Sequence, residues 1–365
     1  MIVTHQTTEF LTPAALEAQY PGQVHRFEFT GSAGEYFRIW LVNVLLSVVT
    51  LGLYAAWAKV RTRRYFYANT VLDGHPFEYL ARPGAILKGN LVVAAVAVLY
   101  YLLQGSNIVA SLAILGAGML LFPWLLQQSL RFTASNSAYR GLRFRFHGTT
   151  GQAYGAYLSG LLVTVVTFGL GFPYFVLRQK QFVFGNAAYG TARSRFTGRT
   201  GPVFVVYLGA AALYLLALTP FFALIGAMTA AVMSGDATTL AGFSLAAILN
   251  YAWAFLAFSI VQQYVFARVT NYCFRVTTLD ENRLWVVSDL RARELAWLRV
   301  TNLLAIVCTL GLASAWAKVR YVKYVLARLT VCAPEGLEGF TAAEQERTSA
   351  IGEAVTDFLD FDLAL

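Results

Sequence analysis

The twelve residues TLGLYAAWAKVR at positions 50–61 return as TLGLASAWAKVR at positions 309–320, with ten of the twelve identical. A chain that writes the same glycine turn, tryptophan and basic exit twice is built from copies of a unit, and the unit governs the architecture. A shift of 117 positions carries Phe29, Gly31, Gly34, Leu41, Thr50 and Gly52 onto Phe146, Gly148, Gly151, Leu158, Thr167 and Gly169. A shift of 259 carries Glu35, Asn43, Thr50, Gly52, Trp57 and Arg61 onto Glu294, Asn302, Thr309, Gly311, Trp316 and Arg320. Two longer stretches begin and end in the same manner. FEYLARPGAILKG at Phe77 echoes FEFTGSAGEYFRI at Phe27, and asparagine recurs in the exit segments at Asn69, Asn136, Asn186 and Asn271. The order is short, long, short, long, short: 27–76, 77–143, 144–193, 194–278 and 286–333. A polar N-terminal segment, 1–26, and an acidic C-terminal tail, 334–365, flank this membrane domain.

Each unit opens with alternating aromatic and polar residues, such as HRFEFTG and LRFRFHG, closed by glycine. That is a period-two strand signal. Apolar runs follow at 86–103, 108–126, 203–233 and 240–261. About 20 apolar residues cross a hydrocarbon core about 30 Å thick. Only 13% of the chain is charged, against roughly 25% in soluble domains, so the composition is that of a multi-pass membrane protein. The predicted fold is all-α and polytopic: five related helical-hairpin modules with short strand-like connectors. In the short units about fifteen apolar residues precede the Thr-x-Gly-Leu tip, a reach of about 20 Å. Two readings follow. The tip turns a re-entrant hairpin at a glycine, or one ordinary span runs through it with Gly52 tolerated mid-helix.

Between residues 79 and 279 the only acidic residue is Asp236, while arginine and lysine gather at the ends of the apolar runs. The positive-inside rule and anionic lipid account for that pattern better than nucleic acid does. The basic, aromatic exits VRTRRYFY and VRYVKYVLAR suit an interface with lipid headgroups. The candidates there are Trp57, Arg61, Arg63, Arg64, Trp316, Arg320 and Lys323. The tail is acidic and reads as solvated.

Catalysis has no visible apparatus. The four histidines, His5, His25, His75 and His147, lack partners at metal-ligand spacing. Cys273, Cys308 and Cys332 form no close pair, which suits a reducing compartment. The glycine-rich GSAGEYF and GTTGQAY lack the lysine of a phosphate loop. No catalytic residue, metal or cofactor is expected. The N-terminus has no basic start followed by an apolar run and does not read as a signal peptide.

The strings GSAGEYFRIWLVNVLL, TLGLYAAWAKVRTRRYFYANTVLDG and FEYLARPGAILKG resemble the YjgN-like family of bacterial multi-pass inner-membrane proteins. The resemblance runs from about Phe27 to Leu329. It implies an inner-membrane location and supplies neither an activity nor site residues. The middle unit departs from the pattern, with Pro173 and Tyr174 where the others have alanine and tryptophan. The function expected is that of a non-catalytic envelope protein, lipid-interacting or scaffolding. The alternative is a transporter or channel, for which Asn43 and Asn302 are the intramembrane polar candidates; as structural groups they would hydrogen-bond between helices.

Overall fold

The computed structural model describes residues 23–104, 108–234, 237–280, 283–334, 336–341 and 343–346. The chain opens with β1 (Gln23–Phe29), α1 (Ala33–Val49), α2 (Ala55–Ala68) and β2 (Thr70–Leu72). Next come β3 (His75–Tyr79), α3 (Pro83–Gln104), α4 (Ile108–Ser135) and β4 (Ser137–Tyr139). The middle holds β5 (Leu142–Phe146), α5 (Thr150–Val166), α6 (Phe172–Phe184) and β6 (Ala187–Tyr189). Then follow β7 (Ala192–Phe196), α7 (Thr200–Ala217), α8 (Thr219–Ser234), α9 (Ala237–Arg275) and β8 (Thr277–Leu279). The last set is β9 (Leu284–Ser288), α10 (Ala292–Cys308), α11 (Ser314–Ala327) and β10 (Leu329–Ala333).

The strands close on themselves. All ten pair antiparallel with their sequence neighbours, and β10 pairs with β1, giving a closed barrel. This corrects the expected all-α chain of five helical hairpins. The connectors are a barrel, and one of the helical stretches holds three helices. Among the described residues only four stretches are long and apolar enough to cross a membrane: Pro83–Leu103, Val109–Ser135, Thr200–Ser234 and Ala246–Arg275. Physical reasons lie in the strands themselves. Four of the ten have only three residues, too few to show a period, and the closing pair joins Gln23 to Ala333.

Tight turns mark one end of the barrel. Asp73–Gly74 and Arg140–Gly141 both have positive φ at each residue (50° and 73°, 47° and 78°), the conformation that matches the twist of a two-residue hairpin. Every helix leaves from the opposite end, so each helical excursion returns to the barrel edge from which it started. The returns are capped alike. Asn69, Asn136 and Asn186 donate from Nδ2 to the carbonyls of Tyr65, Phe132 and Phe182 at 2.8, 2.7 and 2.8 Å. Their own carbonyls accept from Thr30, Leu80 and His147 on the neighbouring entry segments. Asn271 is no counterpart: it lies within α9 and holds Ser288 and Leu290.

Alternation along the strands turns Leu72, Tyr139, Tyr189, Leu284 and Val331 into the barrel, with Phe27, Phe77 and Phe144 against them. The turn end is covered by helical residues 336–341 and 343–346. Leu337 and Phe340 join the barrel core, and Phe340 stacks on Tyr189 with ring centroids 6.3 Å apart. Glu344 is fully buried and accepts from the backbone N–H of Thr191 and Ala192 and from the Thr191 hydroxyl. The first part of the acidic tail is therefore packed structure and not a solvated segment; the acidic residues beyond 346 lie outside the described residues.

The span Thr200–Ser234 is broken at Leu218, just before Pro220, which cannot continue the ladder of helical hydrogen bonds. Helix α9 supplies donors there. Trp253 Nε1 donates to Ala217 O at 2.8 Å and Asn250 Nδ2 to Pro220 O at 2.9 Å.

Candidate functional site

The short helix pairs α1–α2, α5–α6 and α10–α11 reverse through one and the same turn. Leu51, Phe168 and Leu310 take φ near 50°, and Gly52, Gly169 and Gly311 take φ of 89°, 92° and 95°. A side chain at the latter angle meets the strain of a left-handed backbone, which is why glycine stands there three times. Hydrogen bonding is complete within the turn. Thr50 N donates to Leu46 O, Leu51 N to Val48 O, Gly52 N to Ser47 O, Leu53 N to Thr50 O and Ala55 N to Gly52 O. Tyr54 N donates to the Thr50 hydroxyl at 3.0 Å, and that hydroxyl donates to Leu46 O at 2.7 Å. The same set recurs around Thr167 and Thr309. No N–H of the turn needs water. Meanwhile Leu51, Phe168 and Leu310 stand 95%, 98% and 95% exposed. A reversal that satisfies its own backbone and presents one large apolar side chain is suited to hydrocarbon.

The residues singled out in the first and last units occupy the return helices. Trp57 and Trp316 are both part-exposed one turn beyond the tip; Trp57 stacks on Tyr54, and Trp316 lies under the Arg320 guanidinium at 5.1 Å. Asn43 Nδ2 reaches Ala58 O and the Thr62 hydroxyl, both at 3.4 Å, across the α1–α2 pair. Asn302 Nδ2 donates to Ala317 O at 3.2 Å, and its Oδ1 accepts from Arg320 Nη1 at 3.1 Å. Arg320 also donates to the Thr301 hydroxyl. Arg63 Nη1 donates to the Tyr79 hydroxyl at 2.7 Å, and Arg64 donates to the carbonyls of Tyr79 and Ala81. Asn43, Asn302, Arg63, Arg64 and Arg320 are thus engaged within the fold. Arg61 and Lys323 are exposed.

A different cluster stands at the middle unit, where the sequence departs from its own pattern. The strand register aligns Arg145, Ala188 and Arg193 in one row across β5, β6 and β7. Arg143 and Arg195 lie on the same outward face, and all four arginines are exposed. Where this face meets the helices, a cavity of 610 Å³ opens between the first turns of α5, the end of α6 and β7. Gln152, Arg178, Gln181, Asn186, Ser194 and Arg195 line it. The capping box of α5, in which Thr149 and Gln152 bond each other's backbone N–H, fixes one wall. Arg178 Nη1 donates to Gln181 Oε1 at 3.2 Å, while its Nε is buried without a hydrogen-bond partner. The field is positive: His147 is held below its ordinary pKa, first by burial and then by Arg193, Arg145 and Arg131. Two basic groups elsewhere have acidic partners. Arg291 and Arg328 share Asp289 and Glu294, and Arg140 pairs with Asp73 at 3.0 Å. The sequence signal for the middle cluster was the long acid-free interval, which marks the face and not the residue.

Among the described residues no three His, Cys, Asp or Glu side chains gather as a metal-binding group.

The family described as bacterial protein of unknown function (DUF898) matches residues 24–358. The inner membrane protein YjgN of Salmonella typhimurium is 26% identical over 346 residues, covering 82% of this chain and 87% of that protein. The inner membrane protein YjgN of Escherichia coli O157:H7 is 32% identical over 128 residues, 34% of this chain and 31% of that protein. The protein of the same name from Escherichia coli K12 is 33% identical over 129 residues, with the same coverage. No solved structure matches the chain.

Proposed function

The chain belongs to the DUF898 family of bacterial proteins, and on that premise we propose that it is a non-catalytic, multi-pass inner-membrane protein that binds anionic lipid headgroups at its barrel–helix junction. The location is drawn from the relatives, which are named inner membrane proteins, and from the four apolar stretches long enough to span. The barrel faces the cytoplasm, because the arginine-rich helix ends lie at its edge and basic flanks stay inside. Cysteines kept as thiols accord with that side. We read the three short units as an internal repeat, supported by the identical turns at Thr50, Thr167 and Thr309.

One observation carries the headgroup reading. Arg178 and Arg195 line a polar cavity at the height where helices meet barrel, in a stretch of chain whose single acidic residue, Asp236, is outside the described residues. Guanidinium groups lining a polar cavity without a carboxylate among its lining residues are donors matched to phosphate oxygens. A solute path has less support, since the amides of Asn43 and Asn302 are committed to neighbouring helices.

The test is lipid retention by the full chain. Native mass spectrometry of protein from mixed micelles should show phosphatidylglycerol retained over phosphatidylcholine. Arg178→Gln with Arg195→Gln should weaken that retention by roughly thirtyfold, from about 1 kcal/mol for each basic residue at a lipid surface. Arg291→Gln, whose partner acids are already within the fold, should leave it unchanged. Equal retention of both lipids by the unaltered protein would overturn the reading.

A further inference from the structure

The barrel has an interior of its own, and its two ends differ. The turn end is blocked by large residues: Tyr139, Tyr189, Leu284, Leu337 and Phe340 are all buried there. At the helix end small residues alternate with aromatic ones: Thr70, Ser137, Ala187 and Thr277 pair with Phe29, Tyr79, Phe146 and Phe196, whose rings pack on the helices. Thr70, Ser137, Ala187 and Thr277 are the first residues of β2, β4, β6 and β8, and Ser194 stands beside them on β7. Ala187 shares the inward face with Tyr189, two residues on, and is still exposed, because the space above its methyl is empty. Two cavities of 330 and 430 Å³ occupy this interior and have Phe27, Phe77, Phe144, Ala187 and Ala188 in common. Both fall within the range of roughly 300 to 1,000 Å³ of ligand pockets.

Most hydroxyls of the wall are already committed within the fold. Tyr139 donates to Leu72 O at 2.8 Å and Tyr189 to Tyr139 O at 3.0 Å. Thr70 donates to Phe66 O, Ser137 to Thr133 O, Thr277 to Cys273 O, and Ser194 to Phe184 O and Ala187 O. The rest of the wall is mainly aromatic ring and methyl, with Thr133, Thr278 and the exposed Arg145 at its margin. An apolar cavity stays dry and takes apolar guests. Its open end lies among the last turns of membrane helices: Tyr67 of α2, Leu130 and Ala134 of α4, Val183 of α6 and Phe274 of α9 line it.

We propose that the barrel interior is a binding site for a single fatty-acyl chain, which enters from the membrane end and stops at the segment of Leu337 and Phe340. A narrow, largely apolar space, stopped at the turn end by Leu337 and Phe340 and open at the helix end, fits a flexible hydrocarbon chain with its polar end left at that opening. The site does not rest on the headgroup reading: its wall shares Ser194 alone with the arginine-lined cavity, and either can fail without the other.

The experiment uses the full chain in vesicles of phosphatidylethanolamine and phosphatidylglycerol. These are doped with a phospholipid, or in a second arm with a free fatty acid, that carries a diazirine at the end of its long saturated chain. After irradiation, adducts are mapped by peptide mass spectrometry. Adducts on β3, β5 or β6, at Phe77, Phe144 or Tyr189, are expected alongside adducts on α3 and α4. Adducts from the phospholipid identify the bilayer as the source; adducts from the free acid alone identify a free fatty acid, and both uphold the site. Ala187→Trp fills the interior and should remove the barrel adducts while those on α3 and α4 persist as the internal control. Where that variant loses its helix adducts through misfolding, Ala187→Ile takes its place. Labelled helices with bare barrel strands would overturn the proposal. So would barrel adducts that persist in the filled variant, or adducts displaced by a polyisoprenoid alcohol and not by palmitate.

Discussion

The short helix pairs and the long helical stretches leave the same edge of the barrel and solve the return differently. In α1 and α2 the chain has 17 and 14 helical residues, about 26 and 21 Å of helix. In α3 and α4 it has 22 and 28, about 33 and 42 Å. The short pairs reverse through a turn that satisfies its own N–H groups with the help of Thr50, Thr167 or Thr309. The long stretch of α7 and α8 also breaks midway, at Leu218, but there a neighbouring helix supplies donors, Trp253 to the freed Ala217 O and Asn250 to Pro220 O. A break in helical bonding is tolerated at membrane depth where partners exist. The comparison shows two sources of partners, the turn itself and an adjacent helix, and predicts that the two kinds of segment respond differently to the same probe.

The largest difference is one of access. Cys308 is the exposed cysteine of the three and adjoins the tip of the α10–α11 pair, whereas Cys273 and Cys332 are buried. An impermeant maleimide applied to intact cells should leave the native chain unlabelled. Adding Ser234→Cys, at the far end of α8, should produce labelling. A labelled native chain would break the comparison, because the short pair would then cross the membrane.

A carboxylate at the tip gives the next effect. Leu51→Asp and Leu310→Asp place a charge where hydrocarbon is expected, with a cost of about 2.5–3.5 kcal/mol at full depth. Thermal unfolding in nanodiscs should fall accordingly for each. Were these tips solvated, the same changes would stay within about 0.5 kcal/mol, as for ordinary surface positions.

Glycine reads the comparison with opposite sign. Gly52 has φ of 89° with nothing near its missing Cβ, so Gly52→Ala fails through backbone strain alone, by roughly 1–2 kcal/mol. Gly118 lies in the interior of α4, also with open space at Cβ. Gly118→Ala should stabilise the protein by about 0.5–1 kcal/mol, as alanine does in a helix. Denaturation of both variants in one detergent checks the sign, and a loss of stability from both would remove the distinction between turn and span.

Much of this contrast was readable in the residues. The Thr-x-Gly-Leu string names a turn because its glycine has no reason to recur otherwise, and uninterrupted apolar runs name the spans. Pro220 marked the break in the second long run. The barrel was not readable to the same degree. Its strands Thr70–Leu72, Ser137–Tyr139 and Ala187–Tyr189 have three residues each, and pairing across the seam joins residues about as far apart as the chain permits. The tail misled through composition: its many carboxylates hid Leu337 and Phe340, and the most buried acid, Glu344, is held by backbone N–H groups that no sequence pattern announces. The arginine cavity was missed for a related reason. Arg178 lies in the unit 144–193, which departs from the repeated pattern, and Arg195 opens the unit after it, so no shared string joins the two.

The smallest effect separates the three buried asparagines, and it tests whether polar contacts are worth the same in a short pair as beside a broken span. Asn43 is the weakest case. Its two contacts are both 3.4 Å long, and its Oδ1 is buried without a partner, so Asn43→Leu removes an unsatisfied oxygen together with two poor bonds. The expected loss is at most about 0.6 kcal/mol, the average for interhelical hydrogen bonds in membranes. Asn302→Leu also takes an acceptor from Arg320, which keeps Thr301; here the loss should approach about 1–2 kcal/mol. Asn250→Leu removes one good bond, 2.9 Å to Pro220 O in the first turn of α8, together with an Oδ1 that is also buried without a partner; its loss should fall between the other two, at about 0.6–1 kcal/mol. Thermal unfolding of the three variants in one detergent gives the order directly. If Asn43→Leu proved the most damaging, the short pairs would depend on side-chain glue more than on their turns, and the distinction between self-satisfied and neighbour-satisfied breaks would fall.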